Sequence, residues 1–172
     1  MAAAKLGLLA GSGALAPAVA AASRAAGREV FVVAFKGHTA PDWVQEFDHA
    51  WVPLGAVART LALLHAAGCV EVCLIGRVGR PSLTAVALDR RARGMLARLG
   101  GRDAGDDKLL RLIVAELEGD GFRVVGADAL AARLLAPAGR LAGPAPPADA
   151  RADIRRGIEV VRALGAADVG QR

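Results

Sequence analysis

The chain opens on a short apolar run, residues 5–10, that stops at Gly11. A run of that length without polar alternation predicts a strand buried on both faces. Gly11-Ser12-Gly13 then reads as a tight turn. Residues 14–26 read as a helix, with Pro17 tolerated in the first turn and Gly27 at the end. Residues 29–35 are β-branched and apolar and predict a second strand, and residues 49–54 a short third. Val57, Leu61 and Leu64 recur at helical spacing over residues 57–67, and Gly68 ends them. Residues 70–75 predict a fourth strand.

The second half has more helical periodicity. Residues 89–99 and 107–118 fit helices. In the latter, Leu109, Leu110, Ile113, Val114 and Leu117 are expected on one apolar stripe, with Asp106 as N-cap. Residues 122–125 predict a further strand. Residues 136–148 hold four prolines and two glycines, which predicts a surface loop. A last helix is expected near 154–164, with Ile154, Ile158 and Val161 on one side. Strands alternating with helices at this rhythm predict an α/β fold, an open, mostly parallel sheet with helices on both faces.

Composition narrows the function classes. The 172 residues suit one domain, and an apolar share of 54% is ample for a core. Tyrosine is absent and aromatics amount to 3%, which disfavours a stacking platform for single-stranded nucleic acid. The net charge of +5 is spread along the chain without a basic block, so no nucleic-acid partner is expected. Lys5, the apolar run and Ala20-Ala21-Ala22-Ser23 together have the look of a secretory leader. Gly11, Gly13 and Pro17 interrupt that run, however, and a strand followed by a helix explains it. No uninterrupted apolar stretch reaches the ~20 residues of a membrane span. Cys69 and Cys73 lie four apart in a predicted strand, hence on one face and about 13 Å from each other. That is too far for a disulfide, and buried free thiols are expected.

Several residues carry candidate chemistry. Gly11-Ser12-Gly13-Ala14-Leu15-Ala16 matches a glycine-rich dinucleotide fingerprint with alanine in the last place. Glycines let backbone approach an anion, and helix N-terminal amides favour negative charge. The same glycines also serve a purely structural turn. A dinucleotide site wants an acid near the end of the second strand, to hold the ribose; Ala34-Phe35-Lys36-Gly37-His38 has none. Lys36 and His38 are there either to face a phosphate or as plain loop residues. Gly76-Arg77-Val78-Gly79-Arg80-Pro81 follows the fourth strand, where open α/β sheets bind ligands. Arg77 and Arg80 fit a diphosphate clamp, or simply solvated arginines. Asp106 and Asp107 fit helix capping, or the holding of a metal or sugar-phosphate. A serine triad, a nucleophile elbow and zinc-ligand spacing are all missing from the sequence.

Taken in order, these segments resemble one family. Residues 5–15, with Gly11-Ser12-Gly13, resemble the opening of the LpxI-type UDP-2,3-diacylglucosamine pyrophosphatases. So do residues 73–81, the Gly-Asp-Asp-x-Leu-Leu-Arg stretch at 105–111, Gly121-Phe122 with Val125-Gly126-Ala127, and Asp153-Ile154 through Asp168-Val169-Gly170-Gln171. The resemblance implies a Rossmann-like N-terminal domain over residues 1–172 and an activity in lipid A biosynthesis. The reaction is hydrolysis of UDP-2,3-diacylglucosamine to UMP and 2,3-diacylglucosamine 1-phosphate, with magnesium or another divalent metal. It further implies a second, catalytic domain not present here, so that this chain is expected to be inactive alone. The substrate-binding residues expected are Gly11, Ser12, Gly13, Arg77, Arg80, Asp106 and Asp107. A cytoplasmic location, peripheral contact with the inner membrane and a homodimer also belong to these expectations. Two other readings stand beside this one, a nicotinamide-dependent oxidoreductase domain and a non-catalytic nucleotide-binding module.

Overall fold

The computed structural model describes residues 3–79, 87–98 and 106–166. They divide into two compact units, Met1–Leu135 and Ala136–Arg172.

The first unit is built on a five-stranded sheet in the order β3-β2-β1-β4-β5, every neighbouring pair parallel. The strands are β1 Leu6–Ala10, β2 Val30–Phe35, β3 Asp48–Val52, β4 Glu71–Ile75 and β5 Arg123–Val124. The helices are α1 Leu15–Ala25, α2 Val57–Ala66, α3 Arg90–Ala97, α4 Asp106–Gly119 and α5 Ala127–Leu130. The open parallel α/β fold is as expected, and the strand order is that of a dinucleotide-binding sheet.

Both faces of the sheet are covered, because its central strands are apolar at every position. Leu6, Leu8, Ala10, Val30, Val32 and Ala34 point to one face, where Ala16, Val19 and Ala20 of α1 cover them. Leu9, Phe31, Val33 and Val72 point to the other, beneath Leu61 and Leu64 of α2 and Leu117 of α4. Gly7 lets α2 sit close, since a Cβ there would fall 2.4 Å from a methyl of Leu64.

Some expectations are corrected. Cys73 and Cys69 lie in the cores on opposite faces, because β4 begins only at Glu71 and Cys69 precedes it, just after the turn that ends α2. Both thiols are free and buried, as expected. Asp106 is the first residue of α4 rather than its cap. The stripe on α4 is only partly covered: Leu117 is buried, but Leu110 stays 49% exposed. Two short 3₁₀ turns, Val44–Glu46 and Ala132–Leu134, and the one-turn α5 have no counterpart in the sequence reading.

The amino-terminal edge of the sheet is locked by charge. Glu71, buried at the start of β4, is paired with Arg28 ahead of β2 and with Arg123 of β5. Arg28 also donates from Nε to the Ala4 carbonyl at 2.7 Å. One carboxylate therefore links three neighbouring segments of the sheet.

The second unit holds an irregular proline-rich segment and α6, Ala150–Ala166. No residue of α6 is buried, and Ile154, Ile158, Val161 and Leu164 are exposed.

Candidate functional site

At the carboxyl edge of the sheet the chain turns away in opposite directions from β1 and β4, because their neighbours β2 and β5 lie on opposite sides. A crevice at such a switch point is where open α/β sheets take ligands. Here the two turns are bonded to each other. The Ser12 N–H donates to the Arg77 carbonyl at 2.7 Å, and the Arg77 N–H donates to the Ser12 carbonyl at 2.9 Å. The Ser12 hydroxyl donates to the same Arg77 carbonyl at 2.9 Å.

Glycine is required on both sides of this bridge. A Cβ on Gly11 would lie 2.5 Å from the Arg77 carbonyl oxygen, and one on Gly76, at φ +87°, would lie 2.8 Å from the Ser12 carbonyl oxygen. Gly11 thus has a packing role of its own, separate from any ligand. Gly13 differs: its φ is +101°, and nothing lies within 4 Å of where its Cβ would be. That position needs glycine for its backbone conformation and leaves open space beside the turn.

The helix that follows starts without a side-chain cap. Ala14 occupies the cap position, Pro17 has no N–H, and the first backbone bond runs from Ala18 to the Ala14 carbonyl at 3.3 Å. No acidic residue sits in the first turn. A helix start in this state presents unpaired amides and the positive end of the dipole.

The turn after β2 completes the edge. Thr39 is buried; its hydroxyl donates to the Ala10 carbonyl at the end of β1 and accepts the Phe35 N–H at 2.9 Å. His38 reaches the β4 turn, where its Nδ1 accepts the Gly79 N–H at 3.3 Å. Lys36 is exposed at the strand end, and no acid stands there.

Of the residues expected to bind substrate, Gly11, Ser12, Gly13 and Arg77 are therefore brought together. The Arg77 side chain is exposed, and its contribution to the bridge is made by its backbone. Arg80 lies outside the described residues, as does the side chain of Asp106. Asp107 is exposed and accepts from Arg111 Nε at 2.6 Å, one turn further along α4. Among the described residues no three His, Cys, Asp or Glu side chains gather as they would around a metal ion. The described residues do not fit a divalent metal.

The sequence does not single out Thr39. A threonine two residues beyond a glycine in a loop carries no signal of its own; only the register between β1 and β2 brings it to Ala10. The sequence marks Asp89 only as the start of a helix. Its Oδ1 caps α3 at Ala92 N (2.8 Å), and its Oδ2 caps α2 at Ala58 N (2.7 Å).

A second polar cluster joins α2, α3 and α4. Arg91 reaches Glu116 at 2.6 Å and Asp120 at 2.7 Å, Arg98 also pairs with Glu116, and His65 reaches Asp120 at 2.7 Å. The Arg91 hydrogen bond, more than any other contact, holds Glu116 below its ordinary range; the His65 bond does the same for Asp120. An open depression beside it is lined by Arg90, Arg91, Arg98 and Glu116, and shares no residue with the switch-point turns. Arg91, Arg98 and Glu116 are paired with one another or with Asp120, which suits a structural role. The Cys73 thiol is pushed up to about 11, by burial first and by Asp128 second, and is no nucleophile at neutral pH.

Residues 5–134 match the model of the LpxI N-terminal domain. A UDP-2,3-diacylglucosamine pyrophosphatase LpxI of Caulobacter vibrioides is 36% identical over 168 residues, which is 97% of this chain and 60% of that protein. The chain thus spans about three fifths of the length of the curated relative it matches.

Proposed function

The chain belongs to the LpxI family through that family's N-terminal domain, and we propose that its switch-point turns form one wall of a site that holds the diphosphate of UDP-2,3-diacylglucosamine. In the longer enzyme that diphosphate is hydrolysed to UMP and 2,3-diacylglucosamine 1-phosphate. The observation that carries the reading is the Ser12–Arg77 bridge. It sets the uncapped start of α1 and the Arg77 side chain on two turns bonded to each other, as a diphosphate would require.

Splitting a diphosphate requires neutralised phosphate charge and an activated water. Residues of this chain serve the first need: the amides of the α1 start and the Arg77 guanidinium bind and orient the phosphates. The water-activating group and the divalent metal, magnesium by family resemblance, belong in the proposal to parts outside the described residues. The 172-residue chain alone then binds nucleotide without turnover. An acylated UDP-sugar partitions to a lipid surface, so the proposal places the enzyme in the cytoplasm against the inner membrane, and it admits a homodimer. No described helix is long and apolar enough to cross a membrane.

The test is a titration of the isotope-labelled chain with UDP, followed by amide NMR. Shifts centred on Gly11, Ser12, Gly13 and Arg77 are expected. Shifts centred elsewhere, or tight NAD binding in place of UDP, would defeat the reading. Brisk UMP release from the acylated substrate by this chain alone would defeat the division of labour.

A further inference from the structure

The turn after β2 is bonded to both of its neighbours through consecutive residues. Thr39 roots it on β1 through the Ala10 carbonyl. The turn itself is tight, since the amides of His38 and Thr39 both donate to the Phe35 carbonyl at 3.0 Å. His38 is therefore held in place by its backbone, and its ring lies against Gly79, 3.6 Å from where a Cβ would stand. The ring nitrogen Nδ1 accepts the Gly79 N–H. An accepting ring nitrogen carries no proton, so the neutral imidazole is the Nε2–H form.

This end of β2 is where a dinucleotide-binding domain places its ribose-binding acid. Here the same place is taken by a brace between the two site-forming turns. The bridge at Ser12 secures the β4 turn at Arg77, and His38 secures it two residues later at Gly79. Arg77 is thereby fixed from both sides.

We propose that His38 is a positioning residue: by holding Gly79 it fixes the turn that aims Arg77 at the anion. The proposal rests on the diphosphate reading above, and its test separates the two. Asparagine can present an acceptor where Nδ1 stands, whereas glutamine places its polar group nearer Nε2. His38→Asn is therefore expected to keep the Gly79 amide shift and bind UDP within two-fold of the parent. His38→Gln and His38→Ala are expected to move the Gly79 amide and weaken UDP binding about five-fold, the scale of one hydrogen bond. In the parent, imidazole nitrogen shifts should show Nδ1 bare and Nε2 protonated. An unmoved Gly79 amide in His38→Ala, unchanged UDP binding there, or an Nδ1-protonated ring would overturn the proposal. A parent that shows the expected ring and amide but binds no UDP would overturn the diphosphate reading and leave the brace standing.

Discussion

Gly11 and Gly76 stand face to face across the switch point, and each backbone fills the space in which the other's side chain would lie. A Cβ on Gly11 would come 2.9 Å from the Gly76 carbonyl carbon, and one on Gly76 equally close to that of Gly11. The close approach of the two turns depends on both residues lacking a Cβ. Gly76→Ala adds backbone strain at φ +87° to this overlap. It should cost about 2–4 kcal/mol. Gly13→Ala meets only the strain, and should cost about 1–2 kcal/mol. Urea unfolding of the two variants should rank them in that order.

Arg77 contributes to the fold through its backbone and to the proposed site through its side chain. Arg77→Ala should therefore leave the melting temperature unchanged. UDP affinity should fall roughly ten-fold or more, the scale of a charge-assisted hydrogen bond. A calorimetric titration beside a thermal melt reads both.

Asp89 caps two helices with one carboxylate. Asp89→Ala uncaps both and should lower stability by about 1–3 kcal/mol, while Asp89→Asn, itself a good cap, should retain most of it. Denaturant midpoints of the pair decide the matter.

Glu116 and Asp120 have folded values below their ordinary 4.5 and 3.8. Between the lowered and the ordinary value of each group, the unfolded chain binds more protons than the folded one. Stability from these groups is full above the ordinary values and lost as the pH falls through the lowered ones. The urea midpoint should be flat from about pH 7 to about pH 5 and then fall. A Glu116→Gln, Asp120→Asn double variant should start lower and show a shallower acid limb.

The Cys73 thiol, pushed up to about 11 by burial, should resist a thiol reagent in the native protein. Ellman titration at about pH 8 should report slow reaction, becoming rapid in denaturant.

The sequence was most readable where the signal was local. β1, β4, α1 and α2 are apolar runs or helical repeats with a glycine close behind, β2 is a β-branched apolar run, and each appears within a residue or two of its expected bounds. The Ser12–Arg77 pairing was legible in part: both turns stood out by composition, but nothing local said that they bond to each other. The roles of Thr39 and Asp89 depend on partners 29 and 31 residues away. Such partners follow from strand register and helix packing, which no short window contains. Counting along a continuous strand puts the two cysteines on one face, but β4 begins two residues after Cys69.

The Arg28–Glu71–Arg123 cluster pins the sheet at its amino-terminal edge, while every turn of the proposed site hangs from the opposite edge. The two ends can accordingly diverge at different rates. Apart from the glycine pair, Ser12, His38 and Thr39, side chains along the carboxyl edge are open to mutational drift in ligand preference without loosening the ionic lock, and a descendant could retune its specificity on an inherited, already stable frame.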